Sequence, residues 1–178
     1  DYKSQEIREA ISRGLQFVVK QQRQDGSWYG GWAVCFTYAS WFAVDALVLG
    51  KEHIDADTRS KCISKACDFL LSKQMPDGGW GETYESCANM EYTQAKTSQV
   101  INTAWALLAL QAANSDNKEA IQHGINLLLE RQLDDGDWEQ ENISGVFNYN
   151  CMITYSAYRN IFPVWALNRF YQLKTIKV

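Results

Sequence analysis

At 178 residues with 46% hydrophobic side chains, the chain is long enough for one sizeable core. Its net charge of −4 and the lack of a basic stripe exclude a nucleic-acid footprint. The longest apolar run, around Trp41 to Gly50, is interrupted by Asp45 and is too short to span a bilayer.

The chain opens at Asp1, with no methionine and no signal or transit pattern, and we expect it to be a fragment. Ile7, Ile11, Leu15 and Val18 then fall at helical spacing, predicting an amphipathic helix with one apolar stripe. Asp25-Gly26 breaks that helix and turns the chain into Trp28. Arg23 to Phe42 concentrates ring faces (Trp28, Tyr29, Trp32, Phe36, Tyr38, Trp41, Phe42) beside the adjacent Gly30 and Gly31. The segment "FTYASWFAVDALVLG" is apolar almost all round, as helices buried on both sides are. The same succession follows twice more. "KACDFLLSKQMPDGGW" leads into "VINTAWALLALQAA", and "HGINLLLERQLDDGDW" leads on to "CMITYSAYRNIFPVWAL".

Three copies of one unit are therefore present, over about 13–28, 65–80 and 123–138. Each has an apolar pair, then Gln22, Gln74 or Gln132, then Gly26, Gly78 or Gly136, then Trp28, Trp80 or Trp138. Alternating amphipathic and apolar helices predict an all-α fold, an α/α toroid with amphipathic helices outside and apolar ones inside. Three hairpins make only an arc of such a ring, so an apolar edge is left open. The repeated Gln and Trp read as structural: Gln can bond backbone groups at a neighbouring helix end, and the Trp rings staple the outer turns.

Cys35, Cys62, Cys67, Cys87 and Cys151 are odd in number and lack a disulfide spacing, so all five are expected to be free thiols in, or facing, a reducing compartment. Cys62 and Cys67 with His53 lack a fourth ligand and a standard zinc spacing, and we expect neither metal nor cofactor. Asp134, Asp135 and Asp137 look like an acidic cluster but lie in the third repeat's turn, where Asp is an ordinary turn residue.

The remaining aromatics, among them Trp32, Phe36, Tyr38, Trp41, Phe147, Tyr149, Tyr155 and Tyr158, concentrate on the inner segments. Most are expected to pack the core. A cavity walled by π-faces would suit a large apolar ligand, particularly one that becomes cationic, because a ring attracts positive charge without capturing it.

The three copies resemble the QW repeat of class II terpene cyclases. "DGSWYGGWAVCFTYASWF", "DGGWGETYESC" and "GVFNYNCMITYSAYRNIFPVWAL" resemble the C-terminal part of eukaryotic oxidosqualene cyclases, the lanosterol and cycloartenol synthases. The resemblance covers nearly the whole chain. It implies an α6/α6 barrel and cyclisation of 2,3-oxidosqualene through a protosteryl cation, on the endoplasmic reticulum membrane or lipid droplets. By that resemblance Trp32 and Phe147 wall the cavity, and Cys151, Ile153 and Tyr155 occupy the pocket positions that follow. Gly31 stands where many relatives carry Ser. The family's Asp-Cys-Thr-Ala-Glu acid motif is absent, so the acid, the front of the cavity and a second barrel are expected upstream, in the remainder of the same polypeptide. "QENISGVFN" leans towards lanosterol synthases and "NCMITYSAYRNIFP" towards cycloartenol synthases, which leaves the product open. The alternatives are a squalene–hopene-type cyclase, a prenyltransferase β-subunit, for which no zinc set is evident, and a non-catalytic helical interaction module.

Overall fold

The computed structural model describes residues 4–175. Three amphipathic helices, α1 (Gln5–Gln21), α3 (Ala56–Ser72) and α6 (Lys118–Glu130), form an outer layer. Each starts on a side-chain cap: Ser4, Asp55 and Asn117 accept from the amides of Ile7, Thr58 and Ala120. The apolar helices α2 (Cys35–Leu49) and α5 (Val100–Ala112) and the more mixed α7 (Tyr158–Thr175) form the inner layer, with α5 packed between the other two. A short α4 (Glu85–Asn89) lies in the loop between α3 and α5. The result is an arc of an α/α toroid.

One joint ties neighbouring units together. Gln22 Nε2 donates to its own turn at the Gly26 carbonyl (3.0 Å) and to the Cys62 carbonyl of α3 (2.8 Å). Gln74 repeats this on Gly78 and on the Ala120 carbonyl of α6, both at 2.8 Å. Ala120 lies in the first turn of α6, at the helix end as expected, whereas Cys62 lies one turn deeper into α3. Gly26, Gly78 and Gly136 sit at φ of +91°, +87° and +87°, a left-handed turn that favours glycine. The indole N–H groups of Trp28, Trp80 and Trp138 donate back to Val18, Leu70 and Leu128, at 2.7, 2.6 and 2.8 Å.

Several expectations are corrected. The all-α architecture stands, but one local element within it was not expected: β1 (Gly145–Phe147) and β2 (Cys151–Ile153) form a short antiparallel hairpin. The third apolar segment therefore starts as a strand, and its helix begins only at Tyr158. Asn148 and Tyr149 adopt left-handed φ of 50° and 63°, which reverses the chain before a helix can form. Nor is α7 buried on both sides. Only Pro163 and Ala166 are buried among its described residues, while Ile161, Val164 and Trp165 are exposed. On α1, Leu15 is buried but Ile7 and Ile11 are not. Finally, Cys35 and Cys87 are joined in a disulfide, whereas Cys62, Cys67 and Cys151 are free. Spacing rules see only local pairs, and these two cysteines meet because α4 folds back beside the start of α2.

Candidate functional site

The start of α2 is where tertiary structure does what local sequence does not. No side chain adjacent to α2 caps it. Instead Glu82, fully buried, reaches in from the second repeat's loop. Its carboxylate accepts from the amides of Cys35 (3.2 Å), Phe36 (2.9 Å) and Thr37 (2.9 Å) and from the Thr37 hydroxyl (2.7 Å). Burial raises the Glu82 carboxyl above its ordinary pKa, while these hydrogen bonds pull the other way. The charge also sits at the positive end of the helix, where it is best tolerated.

This anchoring fixes the loop before α2. Ala33 bridges Gly145, the Val34 amide donates to the Ser144 carbonyl, and the Val146 amide donates to the Trp32 carbonyl, each bond 3.0 Å long. The amide of Trp32 donates to the Tyr38 hydroxyl at 3.0 Å. The loop thus runs as a third ribbon beside β1, and it brings Trp32 against Phe147. Their ring centroids are 5.1 Å apart and the planes are tilted by 37°. Both remain open to their surroundings, Trp32 at 62% and Phe147 at 40% exposure.

The hairpin register explains the other expected residues. Phe147 pairs with Cys151 and Gly145 with Ile153, and alternate residues of a strand share a face, so Phe147, Cys151 and Ile153 project together. Cys151 is exposed and Ile153 half-buried. Tyr155 lies past the strand, half-buried and stacked on Tyr158 at 4.5 Å. The structure therefore brings Phe147, Cys151 and Ile153 to one hairpin face, sets the Trp32 ring against Phe147 and lays Tyr155 against Gly145, while Cys151, Ile153 and Tyr155 do not line the hollow that adjoins the ring pair. Phe36 and Trp41 are buried and belong to the core.

A hollow of about 180 Å³ lies beside the ring pair, lined by Tyr29, Gly31, Trp32, Val146, Phe147, Asn148 and Tyr149 together with the disulfide at Cys87. None of its lining side chains is a carboxylate, an ammonium or a guanidinium. Burial raises the Tyr29 phenol above its ordinary pKa, with Tyr149 reinforcing the shift, and burial raises Tyr158 likewise, so both stay neutral. Chemically, the face offers π-density and neutral dipoles, and it holds no anion to trap a cation. Sequence reasoning missed Glu82, Tyr29 and the disulfide. Tyr29 stood beside a repeat tryptophan, but nothing around Glu82 marked it as buried. The third repeat's acidic turn is occupied structurally, with Asp137 paired to Arg159 at 2.9 Å.

Residues 1–172 match the family described as the squalene-hopene cyclase C-terminal domain. The chain is 52% identical to lanosterol synthase of Homo sapiens over 174 residues, covering 97% of this chain and 24% of that protein. It is 53% identical to cycloartenol synthase of Dictyostelium discoideum over 168 residues, covering 94% of this chain and 23% of that protein. It thus spans about a quarter of the length of these relatives. Among solved structures, a type II terpene cyclase from Scytonema with merosterolic acid A superposes at a TM-score of 0.74. That match has 21% identity and covers 94% of this chain and 51% of the other, which shows the shared fold.

Proposed function

The chain belongs to the squalene-hopene cyclase C-terminal domain family, and from that premise we propose that it forms part of the aromatic cavity wall of an oxidosqualene cyclase. The observation that carries this reading is the uncharged hollow beside Trp32 and Phe147. In the proposed reaction, an aspartic acid elsewhere in the polypeptide protonates the epoxide of 2,3-oxidosqualene. The C–O bond breaks, successive alkenes attack, and a protosteryl cation results. Hydride and methyl shifts then move the positive charge until a C–H proton is lost and a tetracyclic alcohol remains. The role of this chain is to face the migrating charge with rings. A desolvated cation–π contact is worth about 2 kcal/mol or more, and a carboxylate there would end the cascade early by capture or premature deprotonation.

Similar identity to a lanosterol synthase and to a cycloartenol synthase supports a tetracyclic sterol precursor as the product class. The substrate dissolves in lipid, so the protein is proposed to work from the face of the endoplasmic reticulum membrane. No described helix is long and apolar enough to cross a bilayer. This chain by itself is expected to turn over no oxidosqualene.

The test is expression of the full-length protein with 2,3-oxidosqualene and with squalene, followed by chromatography of the product. A single tetracyclic alcohol from oxidosqualene is expected. Cyclisation of squalene to a hopene-type product, or no cyclisation at all, would overturn the reading.

A further inference from the structure

Glu82 is the only charged side chain that is fully buried among the described residues, and no step of the proposed cyclisation uses it. As a helix cap it is a costly choice. Ser4, Asp55 and Asn117 hold the starts of α1, α3 and α6 from the adjacent residue, and none of them is buried. The inner helix α5 is capped from the following unit, as α2 is, but by a different device. Glu141, half-buried, accepts from the Val100 amide at 2.7 Å and pairs with Arg131 at 3.2 Å. Glu82 serves three amides and a hydroxyl and joins no ion pair among the described residues. Burying a carboxylate without a cation costs more than a local cap near the surface would. In return, several short bonds fix the first turn of α2 in one orientation. The backbone of Glu82 is held as well, by a bridge to Gln94 and by donation of its amide to the Gln99 side chain at 3.3 Å.

That first turn stands directly behind the hollow, and its residues reach three different parts of the lining. Cys35 is joined to Cys87, the Phe36 ring meets Tyr29 edge-on at 5.6 Å, and the Tyr38 hydroxyl accepts from the Trp32 amide at 3.0 Å. Among them, Thr37 turns its hydroxyl back to Glu82 at 2.7 Å. The other backbone tie on Trp32 is its carbonyl, which accepts from the Val146 amide of β1. Trp32 therefore hangs between the hairpin and a helix start whose side-chain cap is Glu82. A rotation of that start would move Tyr29, Trp32 and Cys87 together.

We propose that Glu82 is a positioning residue of the cyclisation: it never meets the cation, but by locking the first turn of α2 it sets the place of the Trp32 ring and with it the product released. The proposal rests on the reading that Trp32 and Phe147 wall the cavity. A displacement of about 1 Å at a positioned group can cost on the order of 10²-fold in rate. In a branching cascade the cation loses its proton wherever stabilisation fails first. A misplaced ring therefore shows as a mixture of products, which loss of stability alone does not produce in the molecules that stay folded.

The test uses the full-length protein with 2,3-oxidosqualene, each variant assayed well below its own melting midpoint. Glu82→Gln keeps the shape but loses one of the two acceptor oxygens, and Thr37→Val removes only the hydroxyl that holds the carboxylate. Both are expected to release several products where the wild type releases one, Glu82→Gln with a rate lowered by up to about 10²-fold. Thr37→Ser, which keeps the hydroxyl, should restore the single product. Trp138→Ala removes a fully buried ring of the third repeat but no partner of Glu82, and should keep the single product despite its lower midpoint. If Glu82→Gln does not fold, Thr37→Val decides. A single unaltered product from either folded variant overturns the proposal, and so does an equal mixture from Thr37→Ser or Trp138→Ala. A wild type that forms no cyclised product overturns the cyclase reading and this inference with it, whereas a single product throughout overturns this inference alone.

Discussion

Replacing Trp80 with alanine separates scaffold from chemistry. Trp80 is fully buried, its indole N–H donates to the Leu70 carbonyl at 2.6 Å, and its ring lies over Gly124 of the next outer helix. Truncation removes a large apolar side chain and leaves a cavity between two units, a change that costs about 3–5 kcal/mol. The Leu70 carbonyl is spared the full penalty because it also accepts from the Lys73 amide at 3.0 Å. The shift per kcal/mol shrinks as the cooperative unit grows, and this chain is only part of one, so a fall of several degrees is expected. Differential scanning calorimetry of the full-length protein gives the midpoint, and chromatography gives the product. The surviving enzyme should make an unaltered product. A normal midpoint together with a new product spectrum would refute the argument that the repeat tryptophans are staples.

Glu82→Gln turns an amide NH2 towards backbone donors that now share a carboxylate, and should cost about 1–3 kcal/mol in denaturant unfolding; an unchanged midpoint would mean that α2 does not depend on this cap. Timed alkylation at mildly alkaline pH should label exposed Cys151 first and spare Cys67, whose thiol burial pushes up to about 11. Cys35 and Cys87 should react only after reduction, and their labelling under non-reducing conditions would contradict the disulfide.

The parts of this fold that repeat were legible because one joint is written three times at fixed offsets. Gln22, Gln74 and Gln132 could be read as backbone donors before their acceptors were known. The candidate site residues were named only through resemblance, since nothing local tells that Trp32 will meet Phe147. That meeting depends on the Ala33 bridge to Gly145 and on a helix cap supplied from another repeat. The hairpin was hidden because "CMITYSAYRNIFPVWAL" is predominantly apolar, and apolarity alone does not separate a short strand from the start of a helix. The disulfide was hidden because its partners are 52 residues apart. The open face of α7 reflects a related limit: its apolar residues announce burial without saying which segment covers them, and Arg159, Asn160, Asn168 and Arg169 interrupt them.

The most direct test of the central claim is the product of Phe147→Leu in the full-length enzyme. Leucine keeps apolar bulk but removes the ring that stands 5.1 Å from Trp32. Loss of a cation–π contact worth about 2 kcal/mol exceeds the roughly 1.4 kcal/mol that changes a rate tenfold, enough to redirect a branching cascade. The account predicts folded enzyme that consumes oxidosqualene and releases several products, including species deprotonated before the rearrangements finish, with the normal product better kept by Phe147→Tyr. A single unaltered product at near-normal rate from Phe147→Leu would contradict it and leave Phe147 as packing.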